Sequence, residues 1–336
     1  MADYDLRPLQ VIVVDKEGNT RRLLRGILAR LGLDKVTDYA DTTDVTAAMT
    51  ATPPDLLFID ADAPETDGLR FTQMLRHSQA PMNPFLCIIA MTWQPTQPLL
   101  MRFTASGADD LMAKPFSAKQ VHDRLINLID NRKSFVVTAD YIGPDRRRQP
   151  REGVQIPLFN VPNTMRQKAM GLYDRSKSAD AITDALEAIN VQKVVRCGFQ
   201  VAFLVDFAAP GATNGGDRMA LEHLVRAGAV LEDMMRRLKQ DSDLRHQAEK
   251  YAHTLRAGLE AMRSHPPEHP VADIQAMHKA ALGLAALTSR RTDIAAVETE
   301  VHSAVSTYRS RLAEIAQAKA SGQAAGGQPA DKPATE

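Results

Sequence analysis

Two aspartates, a threonine and a lysine each stand at the end of a short apolar run. Asp15 follows residues 9–14, Asp60 follows 56–59, Thr92 follows 85–91, and Lys114, with Pro115 behind it, follows 110–113. Nearly continuous bulky or β-branched runs of this length read as parallel strands buried on both faces. Open parallel sheets gather their ligands outside the carboxyl ends of the strands, so the four side chains are expected to converge. Asp15 and Asp60 offer hard oxygen ligands suited to Mg²⁺, which takes one or two carboxylates and completes its shell with water and substrate phosphate. Asp60 is also a candidate nucleophile that would form an aspartyl phosphate, with the metal neutralising the repulsion between two anions. Lys114 supplies a fixed positive charge to phosphoryl oxygens, and Thr92 a donor that can turn toward them.

The elements that must position this set alternate. Amphipathic stretches of helical length lie at 21–31, 45–49, 69–76, 97–105 and 118–129, between and after the apolar runs. Five strand–helix alternations with right-handed crossovers imply an α/β fold, a flavodoxin-like doubly wound sheet of five parallel strands in the order 2-1-3-4-5.

Residues 7–130 resemble the receiver domain of two-component response regulators. The segment from Asp60 to Gly68 is similar to that family's phosphoacceptor loop, with Pro64, Asp67 and Gly68 on its pattern. Ala113-Lys-Pro-Phe116 resembles its lysine–proline turn, and the Thr92-to-Lys114 spacing fits. The resemblance implies Asp60 as phosphoacceptor and Mg²⁺ held by Asp15, Asp60 and the backbone carbonyl of Asp62. It further implies phosphoryl sensing by Thr92 and Lys114, loop support from Pro64, Gly68 and Pro115, and a cis Lys114-Pro115 bond. A histidine kinase or phosphotransfer protein is the implied phosphoryl donor, and a downstream protein the implied target. Three positions depart from the pattern. Lys16 stands where a second acidic residue is usual, leaving Glu17 as a possible second acidic ligand. Trp93 replaces a small residue and is expected to slow transfer and hydrolysis. Leu111 replaces the aromatic usual near the end of the last strand.

The rest of the 336-residue chain has a different character. Lys plus Arg and Asp plus Glu number 41 each, so no global field draws it to nucleic acid or membrane. The two cysteines imply no disulfide framework, nothing at the N-terminus resembles a signal peptide, and no apolar stretch of membrane-spanning length is apparent. The expected location is the cytoplasm. Residues 131–163 read as a basic, proline-containing linker; between 131 and 170 there are eight Lys or Arg against three Asp or Glu. Arg146, Arg147, Arg148 and Arg151 could grip phosphates of a nucleic acid or an acidic patch on a partner, but no stacking platform or recognition helix accompanies them, and a solvated tether that packs back on the receiver is the preferred reading.

Residues 164–320 are expected to be helical, in segments 164–188, 191–208, 217–263, 271–288 and 290–318. Leu224, Leu231 and Leu238 recur every seven residues, as do Ile294, Val301, Tyr308 and Ile315, leaving an intramolecular bundle and a coiled-coil homodimer both open. Two motifs here are decoys. His265-Pro-Pro-Glu-His269 matches a zinc-protease spacing that its prolines forbid on a helix. His278 stands in a segment that faintly resembles a phosphohistidine helix, with its glycine displaced. Gly211 to Gly216 reads as a hinge, and 321–336 as a disordered tail. The sequence reading is a regulator that accepts phosphate at Asp60 and signals through a helical protein-binding region. Its rivals are a receiver-like scaffold that takes no phosphate and a nucleic-acid regulator using the arginine cluster.

Overall fold

A computed structural model describes residues 4–62, 67–77, 82–147, 156–213, 218–240, 242–264 and 271–325. The chain divides into two units, 1–192 and 193–336.

In the first unit, strands β1 (Val11–Val14), β2 (Val36–Tyr39), β3 (Leu56–Asp60), β4 (Cys87–Thr92) and β5 (Asp110–Ala113) form one parallel sheet ordered β2-β1-β3-β4-β5. This is the expected flavodoxin-like order. Alternate side chains of β1 feed opposite layers: Val11 and Val13 pack with Leu24, Leu28 and Leu125, whereas Ile12 and Val14 pack with Val45, Leu69 and Leu75. The three central strands, β1, β3 and β4, are recognisable as apolar runs because both faces are covered. Both edge strands are partly exposed; β5 keeps a short apolar run, whereas in β2 no such run remains.

Helices α1 (Gly18–Arg30), α2 (Val45–Ala51), α3 (Gly68–His77), α4 (Gln97–Ser106) and α5 (Ala118–Asp130) lie within about three residues of the expected boundaries. Their termini have local causes. Ser117 and Gln120 close a reciprocal capping box at the start of α5, and Thr96 caps α4, which ends at Gly107 with φ 82°.

Residues 131–147 pack back on the sheet as expected, but as ordered secondary structure and not as a solvated tether. They carry a hairpin of β6 (Phe135–Val137) and β7 (Ile142–Pro144), and a bridge joins Phe135 to Phe159. Phe135, Val137 and Ile142 are buried with Phe85 and Ile189. Helix α6 (Thr164–Ala169) places Met165 and Ala169 in the core beside α5, and Lys168 pairs with buried Asp55 at 2.8 Å. The basic composition misleads because several of these cations are consumed internally. Arg146 stacks on the Phe103 ring at 4.1 Å and donates to the Ala108 carbonyl, and Arg147 pairs with Asp145. Arg148, Arg151 and Pro64 lie outside the described residues.

The expected segments 164–188 and 191–208 are cut differently. The break falls at Gly171, whose φ of 69° ends α6, and α7 then runs unbroken as Arg175–Thr213 across the boundary between the units. Helix α7 contains an 18-residue window with a mean hydropathy of 1.3, long and apolar enough to cross a membrane by length and composition, although 44% of it is buried inside the protein.

The second unit contains the rest of α7 with α8 (Arg218–Arg237), α9 (Asp243–Ser264), α10 (Val271–Thr288) and α11 (Ile294–Ala325). The single segment expected over 217–263 is two helices. Ser242 accepts the Arg245 backbone N–H at 3.2 Å and starts α9, while the Arg245 guanidinium donates to the Met235 and Leu238 carbonyls at the end of α8. Leu224, Leu231 and Leu238 are all buried within the unit. In α11 the buried stripe is Val297, Val301 and Val305, and Ile294, Tyr308 and Ile315 are exposed. Helix α11 continues to Ala325, past the expected start of the disordered tail.

Candidate functional site

Register alone assembles the site. Val14 lies opposite Ile59, so Asp15 follows beside Asp60. Thr92 lies opposite Ala113, so Lys114 follows beside Thr92. All four side chains are buried at the carboxyl ends of their strands, Asp15 at 1% exposure and Asp60 at 3%. Lys114 Nζ donates to Asp15 Oδ2 at 2.9 Å and to Asp60 Oδ1 at 2.8 Å. Burial disfavours the ammonium, but the hydrogen bonds to Asp60 and Asp15 outweigh it and hold the lysine pKa above its usual value.

The remaining geometry fixes backbone around these groups. Arg21 pairs with Asp38 at 2.8 Å and donates to the Asp15 carbonyl at 2.6 Å, tying the end of β1 to α1. Gly68 opens α3 with no room for a Cβ against the Asp60 carbonyl and the Ile59 side chain, so glycine lets the helix approach the strand. The Lys114-Pro115 bond is cis. The Trp93 ring, 45% exposed, stands with its centroid 5.4 Å from Lys114 Nζ.

Two expected or neighbouring groups behave otherwise. The Glu17 carboxylate is not brought to the site: it accepts from Thr20 Oγ1 at 3.2 Å, while the Glu17 backbone N–H donates to Asp15 Oδ1 at 2.8 Å. Asp62, read from sequence only for its backbone carbonyl, sends its side chain across to β4. Its Oδ1 accepts from Thr92 Oγ1 and its Oδ2 from the Trp93 backbone N–H, each at 2.5 Å. No sequence pattern announces that direction beyond the spacing of two aspartates.

Asp15 and Asp60 thus share the single ammonium of Lys114, and the Asp62 carboxylate, held by Thr92 and Trp93, adds a third negative charge to the same strand ends. A divalent cation fits that imbalance, and the oxygen-only donor set is the kind Mg²⁺ takes. Among the described residues no group of three His, Cys, Asp or Glu side chains is arranged to hold a metal. In the second unit, His278 Nε2 lies 3.1 Å from Asp206 Oδ1, and His302 approaches the same carboxylate. His265 to His269 lie outside the described residues.

Sequence comparison agrees with this geometry. The family model for the response regulator receiver domain matches residues 11–126. The chain is 30% identical over 113 residues to a probable chemotaxis protein CheY of Rhizobium etli, covering 34% of this chain and 86% of that one. It is 29% identical over 126 residues to the cyclic di-GMP phosphodiesterase response regulator RpfG of Xanthomonas campestris pv. campestris, covering 37% of this chain and 33% of RpfG. It is 33% identical over 116 residues to the alkaline phosphatase synthesis transcriptional regulatory protein PhoP of Bacillus subtilis, covering 34% of this chain and 46% of PhoP. Among solved structures, the chemotaxis protein CheY4 of Vibrio cholerae aligns at 22% identity over 35% of this chain and 97% of its own, with a TM-score of 0.33.

Proposed function

Through its receiver domain the chain belongs to the two-component response regulators, and we propose that Asp60 accepts a phosphoryl group from a partner histidine kinase or phosphotransfer protein. One observation carries the reading: two buried carboxylates share the Lys114 ammonium at 2.8 and 2.9 Å, at strand ends that also present Thr92. An Asp60 oxygen would attack phosphorus, forming the new P–O bond as the P–N bond to the donor imidazole breaks and the imidazole leaves with the electron pair. Lys114, already against the attacking carboxylate, would follow the product by donating to a phosphoryl oxygen while keeping Asp15. Thr92 supplies a second donor. Asp15, Asp60 and the Asp62 backbone carbonyl would hold Mg²⁺, whose charge offsets the repulsion between carboxylate and phosphoryl anion.

Glu17 has no part in this account, and Lys16 is exposed to solvent. Trp93 beside Lys114 supports slow exchange of the phosphoryl group with solvent, and a shorter phosphoryl lifetime in Trp93→Ala is the expected result. The helical second unit is the proposed output, with phosphorylation biasing a two-state equilibrium that a protein target or a second copy reads. The family supports a cytoplasmic location. A receiver that serves only as a scaffold is the second reading, favoured by Lys16 where an acid is usual. Nucleic-acid binding through Arg146 to Arg148 loses support because Arg146 and Arg147 are spent on Phe103, Ala108 and Asp145.

The test is Mg²⁺-dependent phosphoryl incorporation from a small acyl phosphate, read by intact mass. Incorporation into the wild type and not into Asp60→Asn is expected. No incorporation in either, including with a cognate kinase, would leave the scaffold reading.

A further inference from the structure

Thr92 is fully buried, and its hydroxyl together with the next backbone N–H forms a pair of donors at the end of β4. Both are occupied. One Asp62 oxygen takes the hydroxyl and the other takes the Trp93 N–H, each at 2.5 Å, so a carboxylate lies across the pair in two-point fashion. The Asp62 backbone N–H donates in turn to Asp60 Oδ1 at 3.3 Å, which puts this carboxylate one residue-length from the proposed phosphoacceptor.

On the reading that Asp60 is phosphorylated, we infer that the Asp62 carboxylate is a built-in competitor of the phosphoryl group: it occupies the donors that would sense the product and must be displaced before they can. Two physical terms oppose coexistence. A hydroxyl and an N–H each have one proton to give, so donors held by Asp62 are not free for phosphoryl oxygens. A phosphoryl group on Asp60 also brings close to two negative charges beside the Asp62 carboxylate, and like charges at that range repel. Asp62 is only partly buried, so its side chain can swing to water when expelled. It therefore sets the threshold at which the site accepts and retains an anion, and the unmodified protein holds the end of β4 in an arrangement already satisfied by one.

The experiment uses the full chain with Asp62→Ala and Asp62→Asn. Trp93 is the chain's single tryptophan, so its emission reports this site without labelling. Three quantities are read: hydrogen exchange of the Trp93 amide, Mg²⁺-dependent beryllofluoride affinity from Trp93 emission, and the rate of phosphoryl incorporation from an acyl phosphate. In Asp62→Ala the Trp93 amide is expected to exchange on the order of tenfold faster, the equivalent of one charge-assisted hydrogen bond. Beryllofluoride is expected to bind about tenfold tighter. Incorporation should accelerate, with Asp62→Asn intermediate because it keeps an acceptor and loses the charge. If wild type and Asp62→Ala take up phosphoryl and beryllofluoride equally, the competitor role is overturned while the phosphoacceptor stands. If no variant takes up either, the phosphoacceptor reading fails and this inference fails with it.

Discussion

The two ends of the same parallel sheet each bury an ionic cluster, and they are built to opposite specifications. At the carboxyl end two buried carboxylates, Asp15 and Asp60, share one ammonium, with the partly buried Asp62 carboxylate beside them. At the amino end one carboxylate, Asp109, faces two guanidiniums, Arg76 at 2.8 Å and Arg132 at 2.8 Å. The second cluster is closed. Arg76 also donates to the carbonyls of Gly107, Pro84 and Leu86, and Arg132 to those of Phe85, Pro162 and Leu86. The Ile88 backbone N–H donates to Asp109, and the Phe135 ring lies 5.2 Å from both guanidinium carbons. Every guanidinium nitrogen of Arg76 and Arg132 has a protein acceptor there. At the carboxyl end carboxylates outnumber the buried ammonium, and that surplus of negative charge is what a divalent cation would offset. Burial and ion pairing are common to both clusters; the balance of donors against acceptors separates structure from function.

The comparison breaks first at Asp109. Asp109→Ala leaves two buried guanidiniums facing each other and should cost about 3–5 kcal/mol by denaturant unfolding. A loss below about 1 kcal/mol would mean the closed cluster does not hold the fold. The same group sets an acid limb. Burial would raise the Asp109 pKa, but Arg132 and Arg76 more than offset that and hold it below its usual 3.8. Its stabilising contribution is therefore complete above the ordinary carboxylate range and is lost as pH falls through the lowered value. The unfolding free energy of the wild type should fall more steeply below about pH 4 than that of Asp109→Asn.

Phe135 asks whether the hairpin belongs to this end of the sheet. Phe135→Ala removes a fully buried ring and should cost about 3 kcal/mol in the same assay; a near-neutral result would return residues 131–147 to the status of a tether. At the carboxyl end the effects are smaller. Mg²⁺ at about 100-fold its dissociation constant should stabilise the wild type by about 2–3 kcal/mol, and Asp60→Asn much less. An equal thermal shift in both would place the cation elsewhere. Smallest of all, Asp60→Asn without metal should change stability by less than about 1 kcal/mol, because it removes one carboxylate from a surplus and leaves Asp15 with Lys114.

The contrast also explains what the sequence could say. Asp15, Asp60, Thr92 and Lys114 were legible because each ends an apolar run, and strand order with register then leaves them no other place to go. Arg76, Asp109 and Arg132 were not legible, since a charge on a helix face or in a loop looks solvated until tertiary packing supplies its partners. The hairpin escaped notice for a related reason. Phe135-Val-Val137 is only three residues long, and the surrounding arginines and prolines suggest a linker until Arg132 and Arg146 are seen turned inward. Asp62 lay between the two cases: its backbone role is implied by the family resemblance, but the reach of its carboxylate to β4 depends on a loop conformation that no local pattern encodes. In the helical unit, the heptads gave the buried face of α8 correctly, yet of the four positions the same spacing picked in α11 only Val301 is buried, because the stripe that packs there steps by four.

The most direct test of the account locates the phosphoryl group. Full-length protein treated with Mg²⁺ and an acyl phosphate should gain one phosphoryl group on the peptide that contains Asp60, and hydroxylamine should remove it as expected of an acyl phosphate. No label, or a hydroxylamine-resistant label on a different peptide, would contradict the assignment of Asp60 as phosphoacceptor.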